Sequence, residues 1–483
     1  MKFIDNNFLL PNRLAQELFH EVAASLPIID YHNHIDPASL AENRQYENIT
    51  QLWLSLDPYK HRLMRINGVA EDKITGTASD YDKFMAWACT LPQTVGNPLY
   101  HWSALELQRA FGIEKLLNEK NAPDIWHYAN QQLQQEQYRT VDLIQGLGVQ
   151  VLSTSDDLLD DLYPHQQTTL AHSLNVYPSL RGDSVVAFAN PQYHSWLGKL
   201  EEQTHSRISS LQEYQAAIEQ RLAYFDEAGC RLADHALDAN FTFDLPSETQ
   251  ATEYFSQLIN GKTLDKQEAQ QLTSYLLTFL GKCYAQLGWI LQLHIGAQRK
   301  TSTRLQNITG GAGGFACIGN SANIDSLTQM LDTLEQDNSL PKVILYPLNP
   351  ADYAAMATLT GSFSEDGVAG KIQLGPAWWY NDHFEGIQYH LKVLANHSML
   401  SQFVGMTTDS RSPLSFCRHE YFRRVLCNTL GTWVEEGHLP HDTEMLSDLI
   451  ENLCYQNAQK WVIESRRTEK GKRKTAEGRA ENR

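Results

Sequence analysis

Rhythm constrains this chain most: short β-branched runs, each closed by polar or turn residues, recur between longer stretches with helical spacing. Eight such runs cover residues 28–34, 149–154, 175–180, 230–234, 290–294, 342–347, 371–376 and 403–408. Most are separated by enough chain for one helix, as at 322–340 or 384–401, which is the repeat of a parallel strand and its crossover helix. Eight units predict an α/β fold: a distorted (β/α)8 barrel of the TIM type, forming a single catalytic domain over residues 1–465. An open, doubly wound sheet is the alternative, because a strand count read from sequence can shift by one or two.

One interval breaks the rhythm. More than a hundred residues separate the first two runs, with helical periodicity and with Trp53, Trp87, Trp102 and Trp126 among them. Residues 49–138 read as a helical insertion growing from the first strand-to-helix loop, on the face where a barrel builds its active site. The stretches 206–228 and 263–288 read as crossover helices. Residues 466–483 turn abruptly basic and polar, which predicts a disordered tail, and no function is assigned to it.

Charge narrows the partners. Among 483 residues, Lys+Arg 39 against Asp+Glu 57 gives a net charge of −18, with a pI near 5.4. That argues against nucleic acid or an anionic membrane as partner, since phosphate contacts need clustered Lys and Arg. No apolar run approaches the roughly 18 residues of a membrane span, and Met1 to Asn12 lacks the features of a signal peptide, so a cytoplasmic protein is expected. Seven cysteines without a CxxC pair suggest buried thiols, with neither a disulfide framework nor a zinc ribbon.

The sharpest local signal is Asp30-Tyr31-His32-Asn33-His34, closing the first run. Residues two apart on a strand project to one face, so both imidazoles can converge in a barrel and ligate one divalent metal. Two solvent-facing loop histidines are the plain alternative, and the position after an apolar strand weighs against it. Asp30 shares their parity and could orient a ligating imidazole. Other polar groups close other runs: Arg181 after the third, Asp234 and His235 after the fourth, His294 after the fifth, Asp409 and Arg411 after the eighth. On this geometry His32, His34 and Asp409 supply metal ligands, and His294 is a further ligand or a proton-handling group. No lysine closes the fourth run to bridge a second metal, so one metal is expected. Asp409 is also a candidate general base. Arg181 and Arg411 can grip a carboxylate through paired hydrogen bonds, and Trp378 and Trp379 offer flat faces for a sugar or simple packing.

These residues carry a resemblance. The blocks IDYHNH (29–34), DPYKHRLMRING (57–68), NPLYHWSALELQRAFG (97–112), LHIG (293–296), AWWY (377–380) and TDSR (408–411) stand in the order found in the uronate (glucuronate) isomerases of the amidohydrolase superfamily. The chain resembles that family over nearly its whole length. The resemblance implies a distorted (β/α)8 barrel, one divalent metal, commonly zinc, and uronate sugar acids as substrates. D-glucuronate would interconvert with D-fructuronate, and D-galacturonate with D-tagaturonate.

By position, His32, His34 and Asp409 match the metal ligands, while Tyr59, Arg181, Arg411 and Trp378 match substrate contacts. Asp409, Tyr59 and His294 form the catalytic set, with Asp409 and Tyr59 handling protons. One departure stands out: many members carry a histidine before the insertion tyrosine, and here that position is Pro58. Either His61 supplies the contact from a turn away or it is dispensable. Residues 310–314 are richer in glycine than the family pattern and read as a flexible loop near the site. A metal-dependent hydrolase of the same superfamily is the alternative function, and a non-catalytic sugar-acid binder a third. The paired arginines, the covering insertion and the missing lysine favour the isomerase. The apolar insertion makes a homo-oligomer an expectation as well.

Overall fold

In a computed structural model, which describes residues 3–311 and 313–464, the strands in chain order are β1 (Ile28–Asp30), β2 (Val149–Ser153), β3 (Asp156–Asp157), β4 (Asn175–Tyr177), β5 (Leu180–Arg181), β6 (Leu232–Leu237), β7 (Ile290–Ile295), β8 (Ala297–Gln298), β9 (Cys317–Ile318), β10 (Lys342–Pro347) and β11 (Ile372–Leu374). Two parallel sheets result, ordered β1-β2-β4 and β11-β10-β7-β6-β5-β3, beside a short antiparallel pair of β8 and β9. The residues of β7 are buried along its whole length, as expected of a parallel strand covered on both faces. Helices Lys266–Leu287, Ile324–Gln336 and Phe384–His397 connect or flank the strands. The first of these starts from a capping box of Asp265 with Glu268 and stops at left-handed Gly288, and its inward face carries Leu272, Leu276, Leu280 and Tyr284.

The closed ladder of eight strands is not what the hydrogen bonds draw. Residues 403–408 form no strand among the described residues. Their partners are largely side chains: Val404 N donates to Gln373 Oε1 (3.2 Å) on one flank, and Thr408 N donates to Asp30 Oδ2 (2.9 Å) on the other. Tyr31 Oη donates to Gly405 O (2.8 Å), and His32 N donates to Thr407 Oγ1 (3.0 Å). Side chains thus replace the backbone ladder that a β-branched run leads one to expect. The run 175–180 also divides, into β4 and β5, because Pro178 has no N–H for the ladder. Expected partner Asp30 is corrected too. Its carboxylate receives Asn33 Nδ2 and Thr407 Oγ1 (both 3.1 Å) and lies 2.9 Å from His419 Nε2, so it pins 407–408 to β1 and does not orient His32 or His34.

Between β1 and β2 the chain is helical, the longest segment being Pro98–Phe111, which opens on an Asn97 cap with proline at its first position and ends at left-handed Gly112. That helix packs against Cys417–Glu435 from the other end of the chain. Cys89 is exposed, against the expectation of buried thiols, whereas Cys230, Cys283, Cys417 and Cys427 are buried. The basic stretch 466–483 lies outside the described residues. Among the described residues no helix is long and apolar enough to cross a membrane.

Candidate active site

Two ends of the chain interlock to build the site. His34 N donates to Ser410 O (2.8 Å) and Asp409 N donates to His32 O (3.1 Å), so the segments after β1 and after 403–408 run side by side. Asp409 Oδ1 then lies 2.9 Å from His34 Nε2 and 3.4 Å from His32 Nε2. Its other oxygen, Oδ2, accepts hydrogen bonds from the indoles of Trp378 (2.8 Å) and Trp379 (2.7 Å). Asp409 (φ 49°) and Trp379 (φ 32°) both occupy left-handed backbone, which is unfavourable for a bulky indole residue. Strain is therefore concentrated where these two side chains meet.

At Asp409 and His34 the electrostatics suit a cation, whereas at His32 the lowering by burial is outweighed by the Asp409, Asp234 and Asp30 carboxylates, which raise it. Burial opposes ionisation of Asp409, yet hydrogen bonds and charge from His32 and His34 hold it well below the usual carboxylate range. Burial lowers His34 to about 4, keeping its imidazole neutral as a metal ligand requires. Burial also takes His294 well below its ordinary value, with His32 adding to the effect. His32, His34 and Asp409 present ligand atoms within 4.8 Å of one another, and so do His32, Asp234 and His294. His32 Nδ1 and Asp234 Oδ1 are buried without a hydrogen-bond partner. Imidazole and carboxylate donors in this number fit a divalent metal.

A cavity of about 400 Å³ opens over this group, and His32, His34, Tyr59, Arg181, His294, Trp378, Asp409 and Arg411 all line it. His61 does not. Tyr59 and His61 sit two apart on helix Pro58–Ile66, about 200° round its axis, whereas Arg62, three from Tyr59, shares its face and lines the cavity. His61 is instead buried, with Nε2 unpartnered. Pro58 is explained locally: it fills the first helical position, where no N–H is needed, after an Asp57 cap that accepts from the N–H groups of Tyr59 (2.9 Å) and Lys60 (3.2 Å).

The glycine-rich segment is fastened to that same helix. Arg62 Nη1 donates to Ala316 O (2.9 Å), Arg65 Nη1 donates to Gly313 O, and Tyr380 Oη donates to Ala316 O (2.6 Å). Gly314 has φ 78°, and a Cβ there would fall 2.2 Å from the carbonyl oxygen of Pro58. Gly314→Ala is therefore expected to lose about 1–3 kcal/mol of stability, measured by urea denaturation; an unchanged midpoint would show that the contact is slack.

Sequence reasoning left several cavity residues unassigned. Arg299 lines the cavity with its guanidinium 5.1 Å from the Trp379 ring centroid. Asp234 sits 3.9 Å from His294 Nδ1, and burial raises it to about 6. Asp234 closes the fourth run but received no role from that position, and Arg299 lies a few residues past the fifth run, the signal that could have marked it. Asp382 and Arg418 carry no such signal.

Parallel sheets with a histidine–aspartate group and guanidinium groups gathered in one cavity beside them define the class as an α/β enzyme acting on a small anionic molecule. Comparison with known proteins makes this particular. The profile of the glucuronate isomerase family matches residues 1–462. A uronate isomerase of Caldicellulosiruptor saccharolyticus is 45% identical over 462 residues, covering 95% of this chain and 99% of that one. The crystal structure of a uronate isomerase from Thermotoga maritima superposes with a TM-score of 0.90 at 32% identity, covering 96% of this chain and 100% of that one. That of a glucuronate isomerase from Caulobacter crescentus gives 0.87 at 25% identity, covering 95% and 96%. The chain belongs to the glucuronate isomerase family.

Proposed function

We propose that this enzyme interconverts D-glucuronate with D-fructuronate, and D-galacturonate with D-tagaturonate, by proton transfer through an enediol. The observation that carries the reading is one cavity lined together by the His32–His34–Asp409 group, Arg181, Arg411 and Tyr59. We further propose that the two sheets curve into a distorted eight-stave barrel, with 403–408 as the stave between β11 and β1 and the helices of 49–138 as an insertion over its active face. The enzyme works in the cytoplasm.

His32, His34 and Asp409 would hold the divalent metal, zinc being our assignment, which when bound supplies Lewis acidity and a fixed positive charge for the sugar's oxygens. The chain's own residues do the rest. Arg181 orients the carboxylate of the open-chain sugar, Trp378 packs along it, and Arg411 and His294 hold oxygens on which charge develops. Asp409 and Tyr59 move the protons between C2, C1 and their oxygens.

The purified protein should form ketouronate from both aldoses, and metal content determined on the same sample should approach one per chain. Release of amine or acid from N-acyl compounds or dihydropyrimidines, without ketouronate, would overturn the reading in favour of hydrolysis. Chelation is expected to remove most of the activity and added zinc to restore it. Arg181→Lys should raise KM roughly 10- to 100-fold while changing kcat little, because a point charge replaces a fork. Steady-state kinetics on D-glucuronate would check this, and an unaltered KM would remove Arg181 from the carboxylate site.

A further inference from the structure

Behind Tyr59 lies a charged pair that the chemistry above leaves unused. Tyr59 Oη donates a hydrogen bond of 3.0 Å to Asp382 Oδ2, and the same carboxylate oxygen lies 3.4 Å from Arg418 Nη1. Asp382 and Arg418 are both buried, and Arg418 Nε has no hydrogen-bond partner. The guanidinium also lies 5.4 Å from the centroid of the Tyr59 ring and 4.6 Å from that of Trp102. Three separate parts of the chain converge here: helix Pro58–Ile66, the turn after Trp379–Asn381 and helix Cys417–Glu435. Tyr59, Asp382, His294 and Asp409 line one small recess beside the main cavity. Buried ion pairs are poor stabilisers, so this one calls for another role.

We propose that Asp382 is a positioning residue and proton acceptor for Tyr59, with Arg418 balancing the charge as the proton moves. The inference rests on the isomerase reading and deepens it. When Tyr59 Oη takes a proton from the sugar, an oxygen lone pair forms the new O–H bond. The old phenolic proton passes along the existing hydrogen bond to a lone pair of Asp382 Oδ2. The electron pair of the broken C–H bond becomes the C1–C2 π bond, and the carbonyl π pair moves to O1. Negative charge therefore shifts from Asp382 to the enediolate, with none created. Between the two transfers the O2 proton passes to O1 by way of Asp409, leaving the negative charge on O2. In the second transfer the O2 pair becomes the C2 carbonyl, the C1–C2 π pair takes the Tyr59 proton at C1, and the proton on Asp382 returns to Tyr59, which restores the carboxylate.

Burial raises Asp382 to about 7 although Arg418 and Tyr59 pull the other way, with Asp409 adding a smaller upward push. Burial and then Asp382 lift Tyr59 well above its ordinary range, so the phenol keeps its proton until a partner takes it. Tyr353, Tyr380 and Tyr421 are also near enough for the Asp382 charge to raise them, burial being the larger cause in each. Only the ionised carboxylate can accept a proton. Turnover should therefore rise as pH rises through about 7 and level off above it.

The test uses metal-loaded enzyme, D-glucuronate and kinetics from about pH 5 to pH 9, with Asp382→Asn, Tyr59→Phe and the double variant. Asp382→Asn should lower kcat about 100-fold, leave KM within about threefold and erase the acid limb. In the Tyr59→Phe background the same change should cost less than about twofold, because the carboxylate acts through the phenol. Wild-type turnover and an intact acid limb in Asp382→Asn, or an equal loss in both backgrounds, overturns the proposal. Should the asparagine variant fail to fold, Asp382→Glu carries the test: it should keep the acid limb, and its absence overturns the proposal. A wild-type protein that makes no ketouronate sinks the isomerase reading and this relay together, whereas an active wild type with an indifferent Asp382 sinks the relay alone.

Discussion

Asp409→Asn should lower turnover on D-glucuronate by about 10³-fold or more and strip most of the bound metal. The backbone does not forbid the change, since asparagine tolerates the left-handed conformation that residue 409 adopts. The difficulty lies in the side chain. Two indole N–H groups converge on Oδ2, so the amide oxygen must turn toward Trp378 and Trp379. Its NH2 then faces the imidazole nitrogens of His32 and His34, where a ligand oxygen is needed. Metal analysis and kinetics on one sample decide the matter. A variant with full metal and near-normal kcat would place both the ligand and the proton-handling group elsewhere.

Lys60→Met should cost about 3–5 kcal/mol of stability, the usual penalty for removing one partner of a buried charge network. Lys60 is fully buried, its Nζ 2.5 Å from Asp57 Oδ2 and 3.5 Å from Glu106 Oε2, and Trp53 Nε1 donates to Glu106 Oε2 (2.6 Å). Without the ammonium, two carboxylates remain in an apolar setting, and one of them caps the helix that carries Tyr59. The pH dependence has a definite sign. Burial pushes Asp57 up, but Lys60 and Arg418 hold it below its ordinary 3.8. The contribution is therefore complete above that unfolded value and is lost as acid titrates the folded carboxylate below it. Urea denaturation should show a large gap between wild type and variant at neutral pH that narrows below about pH 4. A gap under about 1 kcal/mol at neutrality would mean that the cluster relaxes or hydrates freely.

Residues whose role follows from local geometry could be recognised in the chain itself. Strand parity predicts His32 and His34 on one face; β1 ends at Asp30, before either of them, yet both imidazoles reach Asp409, and Arg181, His294, Asp409 and Arg411 close predicted runs. The structure brings all six to one cavity. His61 shows where linear reasoning stops, because proximity in sequence to Tyr59 put it on the wrong side of a helix. Residues 403–408 show a second limit: their composition is that of a strand, but their backbone donates to the Asp30 and Gln373 side chains, and His32 N donates to the Thr407 hydroxyl. Asp382 and Arg418 mark a third. Their meaning arises only when a late turn and a late helix close around Tyr59, and no one-dimensional spacing encodes that encounter.

The interlock of His32 with Thr407, 375 residues apart, has a consequence for biosynthesis. The imidazoles leave the ribosome long before the carboxylate they meet, so a nascent or truncated chain ending short of Asp409 cannot close the His32–His34–Asp409 group.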